Sequence, residues 1–183
     1  CLQIAYEHTG PVYLRIGMNH EKEFFGEDYR ISADQSDRIR SGYDGSITAG
    51  QNDQHEGRNN VAIFVTGSIL DEADQAEKLL KKDGIRTVLI NVPVIKPFNE
   101  AYVLDAARQA KMLVTVEEHN VYGGLGSMVA EIVAGSGLGV KVRRIGMEDV
   151  FASGYGTHKQ VRIANGLDAD SIYRKIKRYL ADE

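Results

Sequence analysis

Met112-Leu-Val-Thr-Val-Glu-Glu-His-Asn-Val-Tyr-Gly-Gly-Leu-Gly-Ser127 is the stretch whose reading decides the fold. Its first five residues are apolar or β-branched without a break, the pattern of a strand covered on both faces in a parallel sheet. The run stops at Glu117, Glu118, His119 and Asn120. Gly123, Gly124 and Gly126 then let the backbone turn tightly, and Ser127 is placed to cap a following helix. Strand, polar end, glycine turn and helix are the parts of a βα unit. In open α/β sheets, ligands and partner surfaces collect at such carboxyl ends.

Working outward, the same alternation recurs. Val61–Val65 reads as a strand. A helix follows with Ile69, Ala73, Ala76 and Leu80 on one stripe, closed by Gly84, and Ser68 with Asp71 fits an N-terminal capping signature. Thr87–Val92 is a second strand, and Asn99 caps a helix whose buried stripe is expected at Ala101, Leu104 and Ala107. After the central strand comes a helix carrying Met128, Val129, Ile132 and Val133, then a strand over Val140–Ile145. Gly146–Gly166 looks irregular, and Asp168 caps a last helix with Ile172, Ile176, Tyr179 and Leu180 inward. The expected fold is therefore α/β: three layers, a mostly parallel sheet with helices on both faces and right-handed crossovers.

The chain before Val61 differs. Cys1–His8 resembles the last turns of a helix, broken at Thr9-Gly10-Pro11. Val12–Ile16 reads as a strand with no neighbour nearby, as if its partners lay elsewhere. Residues 19–60 are polar and glycine-rich, and so read as a linker in which Phe24 to Ile31 is pinned to a surface and Ser41–Asn60 is mobile. The division expected is thus 1–18, 19–60 and 61–183. The opening residues suggest a piece of something longer.

Composition narrows the function. A formal charge of -4 over 183 residues offers no basic stripe for nucleic acid, and no apolar run is long enough to span a bilayer. Cys1 is the sole cysteine, so no internal disulfide can form. With no basic and apolar leader visible, a reducing, cytoplasmic setting is expected.

Three readings compete for Glu117–Ser127. Strand parity puts Glu117 and His119 on one side and Glu118 on the other, so an acid–base pair is conceivable. A metal site would need further ligands that no His or Cys spacing provides. A hydrogen-bonded strand end that braces the turn or faces a partner needs nothing more, and is preferred. Gly124-x-Gly126-x-x-Val129 approaches a dinucleotide fingerprint, but Val129 stands where Gly or Ala belongs and Glu148 falls beyond the next strand. The free amides of Thr66-Gly67-Ser68 could hold an anion, with plain capping the simpler account. His158 and Lys159 sit in a polar loop and are expected in solvent. Arg15, closing an apolar run beside Gly17, suits a bidentate contact to phosphate or carboxylate, or a structural ion pair.

Taken in order, Gly10-Pro-Val-Tyr-Leu-Arg15-Ile-Gly17, Ala62-Ile-Phe-Val-Thr-Gly-Ser68, Asn91-Val-Pro-Val-Ile-Lys-Pro97, Val114–Ser127, Arg144-Ile-Gly146 and Gly166-Leu-Asp168 resemble the C-terminal section of transketolases. The resemblance implies that residues 1–18 end a thiamine pyrimidine-binding domain and that 61–183 form the transketolase C-terminal domain. Enzymes of this family use thiamine diphosphate and Mg²⁺ to move a two-carbon ketol unit between sugar phosphates in pentose-phosphate chemistry. The glutamate that activates the cofactor and the diphosphate–metal motif would lie upstream, so no catalytic residue and no metal ligand is expected in this chain. By the resemblance, Arg15 helps hold the substrate phosphate. Glu117, Glu118, His119, Asn120, Gly123, Gly124, Gly126 and Ser127 take structural and subunit-contact roles. The implied partner is an N-terminal section, in a homodimer or heterotetramer. Deoxyxylulose-phosphate synthase and the beta subunit of 2-oxo-acid dehydrogenases share the domain, and a non-catalytic interaction domain is a further alternative.

Overall fold

The computed structural model describes residues 2–17, 21–26, 29, 31, 37–41 and 59–182. Five strands form one sheet in the order β1-β3-β2-β4-β5. The four strands β2 (Asn59–Thr66), β3 (Thr87–Asn91), β4 (Ala110–Asn120) and β5 (Lys141–Met147) are mutually parallel, and β1 (Asp37–Ser41) runs antiparallel along β3. The mostly parallel sheet expected from the sequence is therefore present, with an antiparallel edge added from within the 19–60 stretch. The mobility expected of Ser41–Asn60 falls mainly on residues 42–58, outside the described ones.

Strand parity builds the layers. Val61, Ile63 and Val65 of β2 and Met112, Val114 and Val116 of β4 point to one face. There they pack with Ile69, Ala73, Ala76 and Leu80 from the start and body of α2 (Leu70–Lys82) and with Ile172 and Ile176 of α6 (Ala169–Ala181). Ala62, Phe64 and Leu113 point to the other face, against Val103, Ala106 and Ala107 of α3 (Glu100–Gln109) and Leu125, Val129 and Val133 of α4 (Leu125–Ser136). Every side chain named on β2 is fully buried, which is why these strands read as unbroken apolar runs. Caps agree in part. Asn99 accepts from Tyr102 N–H at 3.0 Å and Asp168 from Ser171 N–H at 3.1 Å, as the sequence suggested. The buried stripe of α3 is Val103, Ala106 and Ala107, while Ala101 is exposed, so the helix is rotated from the expected phase.

Two further expectations are corrected. Gly146–Gly166 contains a short helix, α5 (His158–Ala164), opened by a complete capping box between Thr157 and Gln160. Val12–Ile16 has no regular structure and is largely exposed. A strand is held by hydrogen bonds to a neighbour, and no described residue pairs with it. The helical turns expected at the start are present as α1 (Leu2–Glu7), with no buried residue. Residues 21–26 are attached to the body. Lys22 donates to the buried Asp74 at 3.1 Å, and Phe24 packs on the α2–α6 core. No described helix is long and apolar enough to cross a membrane.

Candidate functional site

The carboxyl ends of β2, β4 and β5 meet around the polar end of β4, and parity sends its two glutamates to opposite faces, as the alternation predicts. Glu117, 2% exposed, turns toward α4. Its Oε2 accepts from Leu125 N–H and its Oε1 from Gly126 N–H, both at 2.8 Å. The carboxylate thus satisfies two of the unpaired donors at the start of α4 and places its charge at the positive end of the helix. This corrects the expectation for Ser127, which is not the cap. The N-cap residue is Gly124, whose lack of a side chain leaves room for Glu117. Ser127 Oγ instead accepts from Gly123 N–H at 2.9 Å and so closes the turn on itself.

The glycines have separate reasons. Gly123 has φ +77°, a conformation that glycine adopts without strain. Gly124 and Gly126 are required by proximity. A Cβ on Gly124 would lie 2.0 Å from Glu117 Oε2, and one on Gly126 would lie 2.7 Å from Thr115 Oγ1 and 2.8 Å from the Arg144 side chain. Arg144 donates to Val121 O at 2.8 Å and lies over the Tyr122 ring, fastening the turn to β5. The dinucleotide reading fails physically. The amides that would face a diphosphate already hold Glu117, and Val129 is buried in the core.

The acid–base pairing of Glu117 with His119 is not formed. His119 is exposed and its Nδ1 lies 2.8 Å from Asn120 O, while Glu117 serves the two amides. Among the described residues no three His, Cys, Asp or Glu side chains gather to hold a metal. Asn120 Oδ1 accepts from Tyr122 N–H at 2.9 Å, another brace across the turn.

Glu118 faces the α2–α6 side and ties together a cluster that the sequence reading missed. Its Oε2 accepts from Arg162 at 2.8 Å and from Ser68 Oγ at 3.2 Å, and its Oε1 pairs with His158. Arg162 also donates to Ser68 at 2.9 Å. Burial acts to raise the Glu118 carboxyl, but the hydrogen bonds and charges of Arg162 and His158 outweigh it and hold the group below its ordinary value. Ser68 is therefore a bridge between β4 and α5 and not a helix cap, and no side-chain cap is made at that turn. His158, expected in solvent, is half-buried and hydrogen-bonded to Glu118, whereas Lys159 is exposed. The Thr157-x-x-Gln160 box was the available signal for α5. Nothing local could have pointed to Arg162, 44 residues from Glu118.

Arg15 is exposed, and no hydrogen bond or ion pair among the described residues ties it to this turn. The arrangement at β4 is thus one of bracing: a buried carboxylate fixes one helix, and a half-buried one ties a second helix to the turn after β2.

A parallel α/β domain whose central strand ends in such a capped glycine turn defines the class. The family model for the transketolase C-terminal domain matches residues 50–172, and the chain belongs to that family. It is 33% identical over 175 residues to one of the subunits of the apulose-4-phosphate transketolase of Actinobacillus succinogenes, covering 94% of this chain and 51% of the relative. It is also 33% identical over 180 residues to the 1-deoxy-D-xylulose-5-phosphate synthase of Thermomicrobium roseum, covering 97% of this chain and 26% of that one. The chain thus spans about half the length of the first relative and a quarter of the second. Among solved structures it is similar to a split-gene transketolase described as an inactive beta4 tetramer. The TM-score is 0.82 at 29% identity, over 98% of this chain and 53% of the other.

Proposed function

We propose that this chain is the C-terminal part of a thiamine-diphosphate-dependent transketolase, moving a two-carbon ketol unit between sugar phosphates and inactive without the upstream cofactor-binding half. The observation that supports this most is the identity, along nearly the whole chain, to a subunit of a transketolase. In this reading residues 1–18 complete a pyrimidine-binding domain, 19–60 connect it and 61–183 are the C-terminal domain. Arg15 holds the substrate phosphate through its fork of donors. The exposure of Val12, Tyr13 and Ile16, with no described strand beside them, accords with a segment that finishes another sheet.

The described residues do not fit a diphosphate–Mg²⁺ site. They hold no metal cluster, and Glu117 already carries the amides at the start of α4. Thiamine diphosphate and Mg²⁺ therefore belong, in this reading, to the upstream half, where the cofactor supplies the carbon–carbon chemistry and the protein supplies orientation. The partner is an N-terminal section or the remainder of the same chain, in a dimer or heterotetramer, and the setting is cytoplasmic. A second reading, the corresponding part of a deoxyxylulose-phosphate synthase, is supported by an equal identity to such an enzyme.

The test is reconstitution. The chain is mixed with an N-terminal transketolase section, and ketose-to-aldose exchange is measured beside deoxyxylulose-phosphate formation. Exchange that requires both pieces supports the first reading, synthase activity alone supports the second, and activity unaffected by leaving this chain out overturns both.

A further inference from the structure

Residues 2–17 are almost wholly exposed, and among the described residues they make no hydrogen bond or ion pair with the sheet or its helices. The chain first fastens to the body of the domain at Lys22 and Phe24. Lys22 Nζ donates to Asp74 Oδ2 at 3.1 Å and approaches Asp71 Oδ1 at 3.5 Å, both on the first turns of α2. Asp74 is fully buried, so a half-exposed cation reaches in to a carboxylate that water does not. The hydrogen bond to Asp74 and the charges of both carboxylates outweigh desolvation and hold the Lys22 ammonium above its ordinary value. The same ammonium lies 4.7 Å from the centre of the Phe24 ring, which packs on the α2–α6 core. On the upstream side the chain returns on itself, because a Cβ on Gly17 would collide with the Glu21 carboxylate. Cation, buried carboxylate and seated ring form one clip.

We propose that Lys22 is a positioning residue for Arg15: with Asp74 and Phe24 it sets where the Arg15 segment lies against the C-terminal domain. This rests on the proposed function, in which Arg15 holds the substrate phosphate. The clip lies outside the sheet and adds one partly buried ring to a core that β2, β4, α2 and α6 already close, so its effect falls on the segment it holds and little on the fold. Lys22 comes seven residues after Arg15, a tether of at most about 25 Å. With the clip open, the next described attachment is β1, which begins at Asp37, and the tether becomes about three times longer. The effective concentration of a tethered group falls roughly as the −3/2 power of tether length, so opening the clip lowers that of Arg15 at its working position about five-fold.

Ketose-to-aldose exchange is measured in the enzyme reconstituted with an N-terminal section, with circular-dichroism melting of each variant as the folding check. Lys22→Glu sets a like charge against Asp71 and Asp74 and opens the clip. It should raise KM for the sugar phosphate about five-fold and change kcat by less than about two-fold. Lys22→Arg, which keeps the charge, should keep the wild-type KM. In an Arg15→Ala background Lys22→Glu should add nothing further, as expected of two residues that act through one contact. A purely structural role would lower kcat or the Tm and would add to Arg15→Ala. Seating of the clip is read without activity. The chain has no tryptophan, so Phe24→Trp gives a single indole whose emission should be that of a buried ring and should shift to the red when Lys22→Glu is added. An unchanged KM in Lys22→Glu, additivity with Arg15→Ala, or an indole already exposed beside the native Lys22 overturns this inference and leaves the proposed function standing. A reconstituted wild type without any exchange overturns the proposed function, and this inference with it.

Discussion

Replacing Glu117 with Gln isolates the charge and one acceptor while keeping the shape. In the native chain each carboxylate oxygen takes one helix N–H at 2.8 Å in a site only 2% exposed. The amide of Gln retains one acceptor and turns an NH₂ toward the other donor, so one buried N–H of α4 is left without a partner. That orphaned group costs about 1–3 kcal/mol. Loss of the negative charge at the helix start adds about 0.3–1 kcal/mol. The expected loss is about 2–3 kcal/mol. For a chain of this size it lowers the Tm by about 4–12 °C, at 2–4 °C per kcal/mol. Urea unfolding followed by far-ultraviolet circular dichroism gives the free energy and calorimetry gives the Tm. Glu117→Ala, which orphans both donors, should lose about 3–5 kcal/mol on the same grounds. A Glu117→Gln protein within about 0.5 kcal/mol of the wild type, the range of an ordinary surface change, would refute the assignment of Glu117 as the anchor of α4.

Gly126→Ala forces a methyl group to within 2.7 Å of Thr115 Oγ1 and should destabilise by about 1–3 kcal/mol in the same unfolding assay. Asp168→Ala removes the cap of α6 and should cost about 1 kcal/mol, read by thermal melting. The Glu118 carboxyl lies below its ordinary value in the folded chain, so the stability it contributes is present above the unfolded value and is lost as pH falls through the lower folded one. Arg162→Met should move that loss to higher pH, visible as a Tm-against-pH curve that turns down earlier on the acid side than the wild type's; superimposable curves would contradict it. In the reconstituted enzyme, Arg15→Ala should raise KM for the sugar phosphate about ten-fold or more and leave the urea midpoint of this chain unchanged.

The fold from Val61 onward was legible because apolar period and turn chemistry agree there. Val61–Val65, Thr87–Val92 and Met112–Val116 are short β-branched runs, and Gly84, Asn99 and Asp168 punctuate them as the structure confirms. What stayed hidden depends on contacts distant in sequence. The cap of α4 comes from Glu117, eight residues before Leu125, and Ser127 was the local candidate only because capping rules look to the adjacent residue. Arg162 and His158 of α5 and Ser68 of the turn after β2 converge on Glu118 from two distant segments, and no periodicity records that convergence. The β1 strand pairs through its backbone at the sheet edge, so its polar sequence carried no apolar signal. The opposite outcome holds for Val12–Ile16. Its sequence is strand-like, but a strand needs a neighbour, and none of the described residues provides one.

Titration calorimetry of the isolated chain with thiamine diphosphate and Mg²⁺, followed by an assay for sugar-phosphate turnover, tests the central claim most directly. No heat of specific binding and no turnover are expected until an N-terminal section is added. Tight, saturable binding by this chain alone, with unaided turnover, would contradict the assignment of the cofactor to the upstream half.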